Sequence, residues 1–491
     1  MNEGDKKKST AARLIGLIAG PALFAVAAGF TWPDMPAPAA QALGIVAWMA
    51  VWWMTEVVPL AVTAMLPLVL FPACGILKAS EAAPPYANHF VMLMMGGFFL
   101  AEAMQRHDLH RRMALGIVAF VGGGPRRLVL GFMVAAAFLS MWLSNTATAA
   151  MLFPIGLAVA GRIKTPGFTA ALMLATAYAC NIGGMGTLVG TFPNVVLAGM
   201  LPDLIPGAQS PDFLSWMLMG VPLVVVLVPL GWLLLTTLAY PLPRGGGQGA
   251  EEVRSELRAL GTMSTAEKRV AMVFFCTSLA WIGRRGIDLG DLGRIPGWAE
   301  LLGLADMVHD STVAVAATVV LFLIPAGLPG QPASRLLDSD ALRRIPWHIL
   351  VLFGGGFALA RGFSASGLDL ALGQALTGMG GLPLPLVLFG LALSVSLLTE
   401  VNSNTATATT LLPLVAAAAP ALGIPPAPLL LAVTLSASCA FMLPTATPPN
   451  AIVFASGAFT LRRMATVGLA MNIIAALVIA ATAWLARDLL S

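Results

Sequence analysis

The stretch that decides the fold is SNTATAAMLFP at residues 144–154, because the chain contains it twice. The second copy, SNTATATTLLP at residues 403–413, is identical at eight of eleven positions. A second matching pair, GTFPN at 190–194 and ATPPN at 446–450, follows the two copies after nearly equal intervals. The chain therefore carries an internal repeat with two short polar segments in each copy.

These polar segments interrupt an otherwise apolar chain. Of the 491 residues, 58% are hydrophobic and only 10% are charged, and the mean hydropathy is +0.87. A soluble globular chain has about 25% charged residues. Lipid must therefore surround most of the chain, which excludes a cytoplasmic enzyme, a disordered scaffold and a secreted disulfide module. The net charge of +4 includes no basic run beyond residues 6–8, so no nucleic-acid partner is predicted.

The apolar runs predict an all-α polytopic membrane protein with about eleven transmembrane helices. A helix needs about 20 residues, at about 1.5 Å per residue, to cross the hydrocarbon of a bilayer. Runs of suitable length lie at residues 14–32, 41–57, 59–77, 88–105, 167–199, 214–240, 270–283, 311–327, 347–362, 427–457 and 464–486.

Two further apolar blocks, at 128–161 and 383–420, are each split by one of the SNT segments. The first arm, 128–143, would be about 24 Å long as a helix, which is too short to cross about 30 Å of hydrocarbon. Each block is therefore predicted to be a re-entrant hairpin. At its tip we expect the serine of SNT to end the first arm, and the asparagine and threonine to cap the start of the return arm.

The distribution of basic residues predicts the orientation. With the N-terminus in the cytoplasm, 21 of the 27 lysines and arginines fall on the cytoplasmic side, as the positive-inside rule requires. The C-terminus is then outside, and the cytoplasmic (inner) membrane is the predicted location. Five predicted spans separate the two SNT segments, and an odd number of crossings turns the second copy upside down. This is an inverted repeat, whose two hairpin tips should meet near the bilayer midplane.

The predicted organisation follows from this repeat. Gly183–Gly184 and Pro448–Pro449 interrupt long apolar runs, which predicts helices with an unwound middle. The polar stretch between the copies predicts a cytoplasmic linker or surface helix. The segments are an N-terminal tail and first span (1–35); a first repeat (36–240) with hairpin 128–161 and broken helix 167–199; the linker (241–268); and a second repeat (269–491) with hairpin 383–420, broken helix 427–457 and last span 464–486.

The polar clusters predict a binding site for a small anion and cations. Two tips and two broken helices offer hydroxyl, amide and backbone donors without lysine or arginine, which suits an anion with two carboxylates. Carbonyl and hydroxyl oxygens suit a hard monovalent cation, and sodium is predicted. These oxygens lie around Ser140, Ser144 and Gly190 in one copy, and around Thr399, Ser403 and Ala446 in the other.

Three other interpretations of the polar and acidic residues compete with a transport site. Serine, threonine and asparagine often serve only packing between membrane helices, although duplication beside duplicated helix breaks favours a transport site. Glu56, Glu102 and Glu400 are candidates for proton coupling, with a structural or supporting role favoured. An enzyme with one of these acids beside Ser403 lacks a catalytic base, so no enzymatic activity is predicted.

Several motifs together resemble one family, the divalent anion/sodium symporters, also called the solute carrier 13 family. Besides the paired SNT segments, they are WWMTE at 52–56, GGMGTLVGTFPN at 183–194, TE at 399–400 and LPTATPPNAIVFASG at 443–457. The resemblance covers nearly the whole chain. The sequence departs from it at Phe192, where many relatives have a second proline.

The resemblance implies a homodimer in which a transport domain moves as an elevator against a scaffold domain. It implies sodium-coupled symport of C4-dicarboxylates such as succinate, malate or fumarate. A dicarboxylate or citrate exchanger, or a sulfate or tricarboxylate symporter, stays open. The residues implied for sodium are Ser140, Ser144, Asn145 and Gly190 at one site, and Thr399, Ser403, Asn404 and Ala446 at another. Those implied for the substrate are Asn145, Thr146, Thr191, Asn404, Thr405 and Thr447.

Overall fold

A computed structural model describes residues 3–30, 32, 35–245, 250–288, 293–327, 330, 333–375 and 382–486. Gly246 and Gly247 of the predicted linker, the side chains of Lys6–Lys8, and Arg487 lie outside the described residues. The described chain is helical except for loops and one antiparallel pair of two-residue strands, β1 (Ile287–Asp288) and β2 (Arg294–Ile295).

Twelve helices precede the linker in the described ranges, together with a 3-10 turn at Pro84–Ala87 and a π-helical turn at Leu234–Ala239. They are α1 (Glu3–Gly29), α2 (Ala37–Thr55), α3 (Leu60–Thr63), α4 (Leu66–Ala73), α5 (Ala79–Ala82), α6 (His89–Arg106), α7 (Leu109–Val121), α8 (Pro125–Ser140), α9 (Asn145–Arg162), α10 (Phe168–Gly184), α11 (Phe192–Leu204) and α12 (Phe213–Leu233).

The described part of the linker and the second repeat contain twelve more helices. They are α13 (Ala250–Ala259), α14 (Thr265–Ile282), α15 (Trp298–Leu301), α16 (Asp310–Leu323), α17 (Ala341–Arg344), α18 (Trp347–Ala365), α19 (Leu368–Ala375), α20 (Leu384–Thr399), α21 (Asn404–Leu422), α22 (Pro426–Ser436), α23 (Pro448–Phe454) and α24 (Leu461–Leu485).

Six helical stretches in the described ranges are long and apolar enough to cross a membrane by length and composition. The other helices in those ranges are shorter or less apolar. The stretches are Ala37–Thr55, Ala79–Arg106, Phe213–Ala239, Trp347–Ala365, Asn404–Leu422 and Leu461–Leu485. The chain is thus an all-helical membrane protein, as its composition predicts.

The run at 59–77, predicted as one span, is shorter and interrupted in the structure, where its helical part is Leu60–Ala73. The structure splits this run into α3 and α4, with Ala64 and Met65 between them. Pro67 lies in the first turn of α4. Proline has no backbone N–H group, which costs nothing at the start of a helix but removes a hydrogen bond in the interior of one. A new helix therefore begins here. A count of apolar residues alone does not reveal this interruption, because proline is itself compatible with an apolar run.

The linker contains a helix packed against the rest of the protein. Val253 of α13 is buried, and α13 lies against α7. Arg111 in α7 pairs with Glu256 at 3.0 Å, and Arg162 at the end of α9 lies 3.7 Å from Glu252. Of the two alternatives for the linker, the described residues therefore form the surface helix.

The two hairpins occupy equivalent positions in their repeats. In the first hairpin, α8 packs against α10, and in the second, α20 packs against α22. One large apolar core includes residues from both hairpins, from α10 to α12 and from α22 and α24. A smaller core joins α2, α4, α18 and α19 to Ala406 and Ala417 of α21. The helix α21 therefore lies between the two cores, and its N-terminus reaches the candidate site.

Candidate functional site

At the first hairpin tip, three oxygen atoms converge. The hydroxyl group of Ser140, the last residue of α8, lies within hydrogen-bond distance of Asn145 Oδ1 and, at 2.8 Å, of the Cys180 carbonyl. Ser140 itself is fully buried. Because a hydroxyl group has only one proton, it cannot fully satisfy both acceptors. The three atoms are neutral oxygens of the kind that a hard cation prefers as ligands.

The second tip repeats this geometry. Thr399, the last residue of α20 and also fully buried, donates through Oγ1 toward Asn404 Oδ1 at 2.8 Å and toward the Ala437 carbonyl at 3.0 Å. Each oxygen trio therefore consists of a hydroxyl at the end of the first arm, an asparagine five residues later, and a carbonyl of the following helical segment. The serine at 140 and the threonine at 399 differ by only one methyl group.

The expected capping of the tips is wrong in one respect. Ser144 and Ser403 do not end the first arms, since α8 and α20 end four residues earlier. Both serines are instead the N-cap residues of the return arms, and Ser144 Oγ accepts a hydrogen bond from the Ala147 N–H at 3.2 Å. Serine is favoured at this position because its oxygen reaches a free amide of the first turn. The two asparagines are thereby left free of a capping role.

The two broken helices are also built alike, and an asparagine joins each break. Asn194 Nδ2 donates to the carbonyls of Gly184, at 3.1 Å, and Thr187, at 2.7 Å. In the other copy, Asn450 Nδ2 donates to the carbonyls of Ala440 and Leu443, both at 3.0 Å. Neither asparagine is among the site residues predicted from the sequence, although both belong to the repeated segments. The sequence feature that could have indicated their role is their identical position at the end of GTFPN and ATPPN.

The two repeats meet directly at the site. Asn181 of α10 donates through Nδ2 to Thr447 Oγ1 at 3.3 Å in the second copy. Thr191 Oγ1 lies 3.4 Å from Ser438 Oγ, again across the two copies. The hydroxyl groups that precede α11 and α23 are therefore each held by the opposite repeat. Asn181 and Ser438 were not singled out from the sequence, because neither lies in a repeated motif.

A cavity of about 550 Å³ lies between the two tips and the two breaks. Its described lining contains no lysine or arginine, and Glu56 and Glu400 contribute to it. Ser140 and Thr399 are not part of the lining and lie buried behind the tips. The other predicted site residues all line it: Ser144, Asn145, Thr146, Gly190, Thr191, Ser403, Asn404, Thr405, Ala446 and Thr447.

One wall of the cavity is aromatic and breaks the symmetry of the repeat. Phe192, at the first position of α11, lies with its ring centroid 6.3 Å from that of Phe98 in α6 and 5.6 Å from that of Phe353 in α18, both edge-on. Its counterpart at the start of α23 is Pro448, and both residues line the cavity. The first repeat thus presents a phenyl ring where the second presents a small pyrrolidine ring.

The three acidic residues singled out from the sequence lie in different surroundings. Glu102 pairs with Arg344 at 3.2 Å and is not part of the described cavity lining. Glu56 ends α2 with a left-handed backbone (φ 46°, ψ 42°) and is exposed at the cavity. A non-glycine residue in this conformation costs of order 1 kcal/mol and is uncommon outside turns and functional sites. Glu400 is buried and receives four hydrogen bonds.

Together, the discontinuous helices and the polar cavity that they enclose define the class of the protein. Non-helical backbone is tolerated in membrane proteins where it lines a cavity, and secondary transporters bind their cargo between repeated, interrupted helices. The molecule is therefore a membrane transporter.

Comparison with known proteins identifies the family. The family model described as the sodium:sulfate symporter transmembrane region matches residues 12–490. The chain therefore belongs to the divalent anion/sodium symporter family, which confirms the resemblance. It is 39% identical over 491 residues to the sodium-dependent dicarboxylate transporter SdcS of Staphylococcus aureus, with 96% of this chain and 91% of that protein covered.

Two solved structures share the fold. The YdaH transporter of Alcanivorax borkumensis aligns with a TM-score of 0.57 at 16% identity, covering 92% of this chain and 99% of that one. MtrF of Neisseria gonorrhoeae aligns with a TM-score of 0.55 at 12% identity, covering 92% and 96%. At these identities the similarity concerns the fold alone, and it agrees with an integral membrane transporter.

Proposed function

We propose that the protein is a secondary active transporter that takes up a C4-dicarboxylate, such as succinate, malate or fumarate, together with sodium. The observation that carries the proposal is the pair of oxygen trios, Ser140–Asn145–Cys180 and Thr399–Asn404–Ala437, placed behind the two tips of one cavity. The 39% identity to a protein named as a sodium-dependent dicarboxylate transporter supports both the substrate class and the ion.

The substrate is held between the tips. The helices α9 and α21 both begin at the cavity, and the partial positive charge of their N-termini favours a carboxylate at each. Amide and hydroxyl donors complete the contact, since the described lining has no lysine or arginine. The residues proposed to contact the two carboxylates are Asn145, Thr146 and Thr191 in one repeat and Asn404, Thr405 and Thr447 in the other.

Sodium occupies a pocket behind each tip. Each asparagine faces both ligands, because its Oδ1 belongs to the oxygen trio while its Nδ2 can donate to a carboxylate. A cation in the trio would then strengthen the binding of the anion beside it. The proposed ligands are Ser140, Ser144, Asn145 and Gly190 for one ion, and Thr399, Ser403, Asn404 and Ala446 for the other.

We further propose that the two repeats are inverted, with about eleven crossings, and that each hairpin enters the membrane and returns to the same side, although the return arm α21 is by itself long and apolar enough to cross. The N-terminus is then cytoplasmic and the C-terminus outside, in the cytoplasmic membrane. The segments 36–240 and 269–491 each contribute helices to a scaffold and to a transport domain. The transport domain moves as an elevator within a homodimer, and α13 joins the two repeats at the cytoplasmic surface.

Uptake into proteoliposomes tests the function. With labelled succinate outside, an inward sodium gradient is expected to drive accumulation, and replacing external sodium by choline is expected to reduce the rate at least about tenfold, because the oxygen trios then stay empty. Equal rates in both buffers would reject symport. Uptake that requires unlabelled dicarboxylate or citrate inside the vesicles would instead identify an exchanger.

The aromatic wall predicts substrate selectivity. Replacing Phe192 by proline, as in the second repeat, removes a phenyl ring from the cavity and makes room for a third carboxyl group. We expect the ratio of citrate to succinate affinities, measured by competition against labelled succinate, to rise about three- to tenfold, in line with about 1 kcal/mol for a steric change of this size. Sulfate in the same competition panel tests the remaining alternative.

A matched variant separates selectivity from stability. Phe353→Leu loosens the same aromatic contact from α18, but Phe353 is buried and is not part of the described cavity lining. It is expected to leave the citrate-to-succinate ratio within about twofold of wild type, since overpacking or loosening acts mainly on stability. If both variants shift the ratio equally, Phe192 does not set substrate size.

A further inference from the structure

Glu400 is a buried carboxylate surrounded by hydrogen-bond donors. Its side chain is 3% exposed. Oε1 accepts from the N–H groups of Phe441 at 2.7 Å and Met442 at 2.8 Å and from Asn472 Nδ2 at 3.0 Å, while Oε2 accepts from the Leu443 N–H at 2.9 Å. All four partners donate. The oxygens of a glutamate carboxylate only accept hydrogen bonds, so each of the four donors has a matching acceptor.

The negative charge of Glu400 has no cationic partner among the described residues, since none of the salt bridges found there involves it. An unpaired charge inside a membrane protein is costly, and amide dipoles offset only part of that cost. A bound cation nearby would complete the neutralisation. Glu400 directly follows Thr399, whose hydroxyl belongs to the second oxygen trio.

Glu400 also fixes the unwound segment that leads to Ala446 and Thr447. Three successive backbone N–H groups, at residues 441–443, point at one carboxylate, and Asn472 connects the same group to α24. Without it these amides would be unsatisfied in a buried place, at a cost of about 1–3 kcal/mol each. The carboxylate therefore holds in place the backbone that lines the second half of the cavity.

The first repeat has no such group. The residue that follows Ser140, and thus corresponds to Glu400, is Met141. There two of the three equivalent amides are satisfied within the chain segment itself, because Met185 N donates to the Ile182 carbonyl at 3.2 Å and Gly186 N to that of Gly183 at 2.9 Å. The two tips have the same oxygen trio, but a carboxylate directly follows the trio hydroxyl residue in the second tip, where the first has Met141.

We propose that Glu400 is a positioning residue for the second cation pocket, and that its charge makes this pocket the tighter of two otherwise similar sodium sites. Glu400 acts by holding the segment at 441–443 in place and through the electrostatic field of its negative charge. It does not touch the dicarboxylate. The inference rests on the proposed sodium coupling and adds an order of occupancy: the second pocket fills first, at lower sodium concentration.

The test compares matched substitutions in the two repeats. Glu400→Gln keeps the size of the side chain and removes its charge, and Met141→Leu alters the equivalent position of the first repeat. The half-saturating sodium concentration for succinate uptake is expected to rise at least about tenfold in Glu400→Gln and to change less than about twofold in Met141→Leu. At saturating sodium, the KM for succinate should change much less than this. A purely structural defect would lower the maximal rate without this split.

A second pair of measurements keeps the test decisive if Glu400→Gln transports poorly. Binding of labelled sodium to purified protein in detergent, without substrate, should show two affinities in wild type and loss of the tighter one in Glu400→Gln. The double variant Glu400→Gln with Asn472→Asp returns a carboxylate to the same buried contact, and should recover at least part of the sodium affinity.

The possible failures can be distinguished. Wild-type uptake that ignores sodium would overturn the proposed function itself. Sodium-dependent wild-type uptake with an unchanged half-saturating concentration in Glu400→Gln would leave the symporter intact and overturn the role of Glu400. If Glu400→Gln loses sodium affinity and the double variant recovers none of it, the charge of Glu400 does not set the affinity of the second pocket.

Discussion

Replacing Asn145 or Asn404 by alanine is expected to abolish sodium-dependent uptake while the protein still folds. Each asparagine contributes one oxygen to an oxygen trio and lines the cavity, so under the proposed function a single truncation removes a contact to both ligands. A hydrogen bond to a charged group contributes about 1.5–3 kcal/mol, and losing two such contacts should reduce uptake to below about 1% of wild type.

Folding should survive because these side chains do not hold the helix ends together. The N-cap of α9 is Ser144, and Asn145 and Asn404 are only half-buried at the cavity. We expect the elution volume on size exclusion to match wild type and the melting temperature to fall by no more than a few degrees. The measurement is uptake of labelled succinate normalised to protein inserted in the vesicles.

An asparagine with a purely structural contact provides the control. Asn88 is the N-cap of α6, where Oδ1 accepts from the Phe90 N–H at 2.9 Å. Asn88→Ala should lower stability by about 1 kcal/mol, the usual cost of a lost cap, and retain most of the uptake. The site assignment is wrong if Asn145→Ala or Asn404→Ala transports like wild type, or if Asn88→Ala loses uptake as completely as they do.

Much of the candidate site could be predicted from the sequence because its polar residues lie inside apolar runs. Polar residues inside apolar runs are expensive in lipid, so a pair such as Asn145 and Asn404 in repeated positions indicates a function. The short arm before Ser144 indicates a hairpin by length alone. These inferences use only composition, spacing and bilayer thickness, and the cavity lining agrees with them.

The remaining features depend on contacts between distant segments, which no local pattern encodes. Glu400 meets residues 441–443 about forty positions away and Asn472 on α24, and nothing near Glu400 indicates either partner. The link between Asn181 and Thr447 likewise requires the two repeats to be docked. The caps were misassigned for a different reason, because Ser, Asn and Thr all cap helices well and one residue of register decides which of them does.

The second large effect is expected at Gly190, a proposed ligand of the first sodium ion that lies close to two backbone segments. A Cβ atom added there would lie 2.5 Å from the carbonyl oxygen of Gly184 and 3.0 Å from that of Ser140. Both contacts are with backbone, so relief requires the unwound segment to move away from the tip. Gly190→Ala should therefore disrupt the oxygen trio and reduce sodium-dependent uptake at least about tenfold, with about 1–3 kcal/mol of lost stability from overpacking.

The repeat itself supplies the matched experiment, because the position equivalent to Gly190 is Ala446. The second pocket already accommodates a methyl group, so Ala446→Gly removes contacts without forcing any backbone apart. It is expected to change the half-saturating sodium concentration less than about threefold, mainly through added flexibility of the unwound segment. Measuring sodium dependence for both variants separates a steric block from a general sensitivity of these loops. Similar losses in the two variants would indicate a general sensitivity of the unwound segments and would contradict a steric block at Gly190.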